Sequence, residues 1–354
     1  MKVALVALLL VGVACSSSED EGARPAQSSA DADCTPSRPA EAGSERLTFD
    51  HDGVDREYEL TVPPDYDGAT AAPLLLSLHG FTSDIDQQDA VSNFATAATE
   101  RGYVVVTPQA LPVKVPLGPD GVEAPLWNII PGFAGTPAAS GQEQPAAEDD
   151  VGFLTSLLDH LASDQLCIDT DRVYVSGISN GAGMTNMLIC EDDSRFAAAA
   201  PVAGVNLLTD CGATEPTPVI AFHGDADPLI SYEGGSLFGF DLGLPSVQQR
   251  MTDLAAASGC DPEPNTEQPF DDVEHFTWTC PEGMAAELYT VAGGGHTWPG
   301  ATAYAPPDNA PPTSSPAGQV PGDMDLADIL GHTTENISAT DLMLDFFDAH
   351  HRSN

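Results

Sequence analysis

Short unbroken apolar runs alternate with amphipathic stretches along most of the chain, and each run ends in a polar or glycine-rich turn. Residues 73–78 read as a buried strand stopping at His79-Gly80, residues 89–101 as a helix, and residues 103–106 as the next buried strand. Residues 149–162 carry Val151, Phe153, Leu154, Leu157, Leu158 and Leu161 at helical spacing and lead into a strand ending at Val173-Tyr174-Val175. A helix over 182–190 follows. Then come strands at 196–202 and 219–223, a helix over 247–257, a strand at 286–291 and a closing helix over 339–350. Strands with apolar residues at every position are covered on both faces, so the repeat predicts a mostly parallel α/β sheet with helices on both sides, in one domain. Ahead of it, residues 46–62 alternate in hydrophobicity around Asp52-Gly53, a hairpin signal. Two long irregular stretches, 108–147 and 301–338, leave the carboxyl edge of such a sheet, where ligands bind.

The N-terminus does not belong to that domain. Lys2 and the apolar run 3–13 match a secretory signal peptide over residues 1–14, too short to span a bilayer. Cys15, between Ala14 and three serines, sits where a bacterial lipoprotein is acylated, although Gly12 stands where such sites usually carry leucine. Residues 15–44 are rich in Ser, Ala, Pro, Asp and Glu and read as a flexible acidic tether, leaving 45–354 as the folded domain. The expectation is a monomer, either an extracellular protein or a cell-envelope lipoprotein of a bacterium, with Cys15 as the membrane tether in the second case.

Setting Cys15 aside leaves six of the seven cysteines, an even number in an exported chain. Cys260 with Cys280 is the best pair, then Cys190 with Cys211, which leaves Cys34 with Cys167. No cysteine or histidine spacing suggests a metal site. Composition narrows the partners further. Eleven basic residues against 54 acidic ones give a net charge of −43, so nothing could neutralise the phosphates of a nucleic acid. The same carboxylates either keep an exported protein soluble or adapt it to high salt.

The chemistry begins at Gly177-Ile178-Ser179-Asn180-Gly181, set between a strand and a helix. A strand that turns sharply into a helix imposes an unfavourable backbone on Ser179, and the glycines avoid the clashes that larger residues would make. A serine hydroxyl needs a histidine to take its proton and an acid to orient that histidine. Asp227 follows the 219–223 strand, and His296, after three glycines, follows the 286–291 strand. All three open onto the same sheet edge, in the order Ser, Asp, His. Asp225 competes as the acid but lies directly on the turn, where a carboxylate caps. His79 and His223, each before a glycine at a strand end, read as structural. The backbone amides of Phe81 and Asn180 are the expected oxyanion donors, and Trp127 and Trp298 are candidate walls of a substrate pocket.

His79-Gly80, Trp127-Asn128, the segments 149–153 and 172–181, His223-Gly224-Asp225-Ala226-Asp227-Pro228 and the segment 294–300 resemble the esterase and polyhydroxybutyrate depolymerase family, from about Glu45 to the C-terminus. That family includes secreted feruloyl and acetylxylan esterases. The resemblance implies an α/β-hydrolase fold with Ser179 as nucleophile, Asp227 as acid and His296 as base, acting on ester substrates without cofactor or metal. Ala182, where the family more often has a second glycine, and a long insertion after Gly300 are departures. Feruloyl or acetylxylan esters are the expected substrates, polyester oligomers the alternative, and an inactive surface-binding lipoprotein the reading from another class.

Overall fold

The computed structural model describes residues 40–115, 122–129, 149–192, 194–207, 216–237, 240–303 and 329–352. The signal peptide, Cys15 and nearly all of the tether expected from the sequence lie outside them. The described chain opens with a hairpin of β1 (Gly43–His51) and β2 (Val54–Val62), with His51 opposite Val54. Asp52 and Gly53 between them both have positive φ, 53° and 83°, the turn geometry whose twist matches that of the flanking strands. Next come β3 (Ala72–Leu78), β4 (Val104–Pro108), the small hairpin β5 (Pro112–Val115) and β6 (Val122–Pro125), then β7 (Ile168–Ile178), β8 (Ala198–Val202) and β9 (Val219–Gly224). A second small hairpin, β10 (Gly235–Leu237) and β11 (Phe240–Leu244), precedes β12 (Asn265–Phe270), β13 (Val273–Thr277) and β14 (Ala286–Val291).

Ten of these strands form one sheet in the order β1-β2-β4-β3-β7-β8-β9-β14-β13-β12. The six from β4 to β14 run parallel, and an antiparallel hairpin closes each edge. Leu74, Leu76, Val104, Val106, Val173 and Val175 pack into one apolar cluster, while their alternates Leu75, Val105 and Tyr174 pack into a second. Adjacent side chains point to opposite faces of a strand, which is why these strands read as continuous apolar runs. The chain passes from β3 to β4 on one side and then to β7 on the other, so the winding reverses at β3. A crevice at the carboxyl ends of the strands is expected at such a switch, here beside residues 79 and 179.

The helices are α1 (Ile85–Ser92), α2 (Phe94–Ala97), α3 (Asp150–His160), α4 (Asn180–Glu191), α5 (Val247–Ala257) and α6 (Ala339–Ala349). The single helix expected over 89–101 starts earlier and breaks. Asp84 caps its start, and Asn93 adopts the left-handed region at φ 54° between α1 and α2, a conformation Asn tolerates better than most residues. The three smaller hairpins were not foreseen. β12 is exposed at every position, so no alternation marks it. Cys260 and Cys280 are bonded across that edge hairpin. Cys167 and Cys190 are also disulfide-bonded, and their expected partners Cys34 and Cys211 lie outside the described residues. Among the described residues no helix is long and apolar enough to cross a membrane.

Candidate active site

β7 runs into α4 through Ser179, whose backbone stands at φ 59° and ψ −120°. That conformation costs a residue with a Cβ about 1–3 kcal/mol and persists only where the surroundings impose it. They do so here by close packing. A Cβ on Gly177 would lie 2.6 Å from the Gly181 carbonyl, and one on Gly181 would lie 2.2 Å from Leu78 O. The Ser179 amide donates to Val202 O at 2.9 Å and its carbonyl accepts from Gly183 N–H at 3.0 Å. Gly80 stands alongside, since a Cβ placed there would be 3.3 Å from Ser179 Cβ.

The loop after β3 is held from below by His79, which is fully buried. Its Nδ1–H donates to Gly80 O at 2.7 Å, and Nε2 accepts from the Ala110 amide and the Gln109 carboxamide, each at 3.0 Å. Burial pushes its pKa down to about 4. The Trp127 indole N–H donates to His79 O at 3.0 Å. Trp127 N–H donates to Asn180 Oδ1 at 2.7 Å and Asn180 Nδ2–H donates back to Trp127 O at 3.0 Å. Thr82, next in the loop, is held at φ 65° with its amide on Pro125 O, a strained state for a β-branched residue.

Asn128 N–H donates to Asp150 Oδ2 at 2.8 Å, and Arg56 Nη2 donates to Asp150 Oδ1 at 2.7 Å in a pair exposed by only 1% and 4%. Arg56 also lies 3.9 Å over the Phe153 ring. Two sheet strands, a helix terminus and the 126–129 loop are thus tied to the elbow. Sequence reasoning missed Arg56 and Gln109. Arg56 shares the inward parity of Tyr58, Leu60 and Val62, and a charge at that parity was the available signal.

Asp227 and His296 meet at the ends of β9 and β14. Asp227 Oδ1 accepts from the Leu229 and Ile230 amides at 2.8 and 2.9 Å, and Oδ2 accepts from His296 Nδ1–H at 2.7 Å. Burial by itself would raise this carboxyl, but hydrogen bonds from His223 and His296 outweigh it and hold it well below the usual carboxylate range. Asp225 accepts from Gly293 N–H at 2.6 Å and caps the glycine turn. A Cβ on Gly224 would come 2.2 Å from Gly294 O, so the acid and base loops press backbone against backbone. The His296 amide donates to Leu330 O at 2.6 Å and Gly295 N–H to His332 O at 2.8 Å.

Asp227 and His296 are therefore joined in the geometry that an acid–base pair requires. No hydrogen bond among the described residues joins Ser179 to His296. Trp127 and Trp298 are both buried in the apolar clusters. Trp298 donates its indole N–H to Thr340 Oγ1 at 3.0 Å and meets Phe94 edge-on. Among the described residues no group of three or more His, Cys, Asp or Glu is placed to hold a metal ion.

A model described as the prolyl oligopeptidase family matches residues 149–216, the stretch from α3 through the elbow. An acetyl xylan esterase from Aspergillus awamori shares the fold with a TM-score of 0.50 at 17% identity, covering 72% of this chain and 94% of that one. The chain has the α/β-hydrolase fold. Its sequence relatives include proteins named as esterases. Feruloyl esterase B of Piromyces equi is 29% identical over 252 residues, 68% of this chain and 42% of that protein. A bifunctional acetylxylan esterase/xylanase of Neocallimastix patriciarum is 27% identical over 246 residues, 69% of this chain and 31% of that protein. The chain thus spans less than half the length of these two relatives.

Proposed function

We propose that this α/β-hydrolase cleaves carboxylic esters by two-step acyl transfer. Ser179 attacks the ester carbonyl while His296 takes its proton, and Asp227 keeps the imidazole in the tautomer that leaves Nε2 able to accept. The alcohol leaves with the proton from His296, and water then attacks the acyl-enzyme with the same groups in reversed roles. The amides of Asn180, at the positive end of α4, and Phe81, beside Gly80, would receive the developing oxyanion. The observation that carries this reading is the buried 2.7 Å bond from His296 Nδ1 to Asp227 Oδ2, at the same sheet edge as a serine at φ 59°. No cofactor takes part.

Feruloyl and acetyl esters of plant polysaccharide are the substrate class we favour, because the relatives are named for them. Polyester oligomers such as those of 3-hydroxybutyrate are the second reading, on the motifs shared with depolymerases. Export, by way of the apolar segment 3–13 and with Cys15 as an anchor point, suits a polymeric substrate outside the cell. A fluorophosphonate probe should label the wild type and not Ser179→Ala, and Ser179→Ala should lose turnover of p-nitrophenyl acetate. A wild type that neither labels nor turns over esters would instead be a binding protein. Methyl ferulate, acetylated xylan and 3-hydroxybutyrate oligomers, assayed side by side, distinguish the substrate classes.

A further inference from the structure

His223 takes no part in the proposed proton relay, yet it lies beside the acid. Its Nε2 sits 3.0 Å from Ile230 O and 3.4 Å from Asp227 Oδ2, with both side chains wholly buried. Both neighbours can only accept, so the ring proton resides on Nε2. Among the described residues Nδ1 is buried without a hydrogen-bond partner, and the Tyr232 ring stands edge-on at 5.9 Å, its hydroxyl on Thr290 Oγ1. A polar nitrogen left unsatisfied in the core is costly, so the imidazole is not explained by packing alone.

Its N–H reaches the acid by two routes. One is the 3.4 Å arm to Oδ2, the oxygen that also holds His296. The other passes through the Ile230 peptide, whose carbonyl takes the His223 proton while its amide donates to Asp227 Oδ1 at 2.9 Å. We propose that His223 is a positioning residue of the esterase site, a second imidazole that orients the Asp227 carboxylate and limits how strongly it binds the His296 imidazolium. This deepens the structural role expected of His223 from sequence, and it rests on the Ser179–His296–Asp227 reading. Among the described residues, the charged and titratable groups facing His223 are Asp227 and Tyr232, and those facing Asp227 are His223 and His296.

His223→Leu removes the donor and keeps an apolar filling, while His223→Gln returns an N–H near the position of Nε2. In His223→Leu, kcat for p-nitrophenyl acetate should fall about 10-fold with KM little changed. The acid limb of its kcat/KM profile should move up by roughly 0.5 pH unit, because a carboxylate with one donor fewer holds the imidazolium more tightly. His223→Gln should recover both. A folded His223→Leu with wild-type kcat and limb would overturn the proposal, as would equal losses in both variants with the limb unmoved. If His223→Leu does not fold, the wild type still decides: 15N-histidine spectra should place the His223 proton on Nε2, and a proton on Nδ1 would refute the arrangement. Failure of the underlying reading is recognised separately, by turnover that survives Ser179→Ala.

Discussion

Asn180 and Trp127 hold each other by two hydrogen bonds, the carboxamide of one closing on the peptide N–H and C=O of the other at 2.7 and 3.0 Å. Asn180 follows the candidate nucleophile and Trp127 carries the indole that holds His79 O. The pair therefore fixes the elbow and the loop after β3 relative to one another, the two segments proposed to supply oxyanion donors. Asn180→Ala strands both buried backbone groups of Trp127, which should cost about 2–4 kcal/mol in urea unfolding. Activity should fall in kcat more than in KM, because the donors would be misplaced where charge develops. A variant with wild-type stability would show that the clamp holds nothing.

The backbone at Ser179 implies a stability that activity gives up. Glycine enters the φ 59°, ψ −120° region without a Cβ clash. Ser179→Gly should raise the unfolding free energy by roughly 1 kcal/mol while ester turnover disappears, with Ser179→Ala losing turnover without that gain. Denaturant unfolding of the three proteins checks it. A Ser179→Gly variant less stable than Ser179→Ala would mean that the elbow is not strained at this residue.

How much was legible beforehand follows from what each feature depends on. The parallel strands declared themselves because both faces are buried, as with Leu74, Leu75 and Leu76. Gly177 and Gly181 were readable because the turn admits no other residue. β12 was not, because it is held by pairing at an exposed edge rather than by burial. The clamp was present in the sequence only as Trp127-Asn128 and Asp149-Asp150; that these residues reach Asn180 and Arg56 is a property of the folded chain. His223 reads as structural from its place before a glycine at a strand end, and it does serve Ile230 O. Its approach to Asp227 needed the three-dimensional path of residues 227–230.

The charge of −43 gives a third expectation. Arg46 meets Glu57, Glu59 and Asp86, Arg101 meets Asp345 and Asp348, and Arg195 meets Asp159 and Asp192. With so few cations, and these three each already among two or three acids, most carboxylates are left to repel one another. The screening length falls from about 30 Å at 0.01 M salt to about 3 Å at 1 M. Tm should therefore rise between those concentrations by on the order of 5 °C, equivalent to a few kcal/mol for a chain of this size. A flat or falling Tm in NaCl would assign the acidity to solubility alone.

His79 makes stability depend on pH in a definite direction. Its Nε2 accepts from Ala110 N–H and Gln109, so protonation would turn a donor toward two donors in a site without solvent. Burial accordingly pushes its pKa from the ordinary 6.5 down to about 4. As pH falls below 6.5 the unfolded chain takes up this proton while the folded chain refuses it until about pH 4, so the unfolded state gains. Stability is thus complete above pH 6.5 and is lost toward pH 4, at up to ~1.4 kcal/mol per pH unit and about 3 kcal/mol in all. Other groups titrate across the same range, and the comparison that isolates His79 is with His79→Gln, which keeps a polar side chain and carries no titrating proton. Urea unfolding at pH 7, 6, 5 and 4.5 should give a wild-type curve steeper than that of His79→Gln, the two converging in slope above pH 7. Parallel curves throughout would show that His79 takes its proton in the folded state as readily as in the unfolded one, and the loop beside Ser179 would then owe nothing to a buried neutral imidazole.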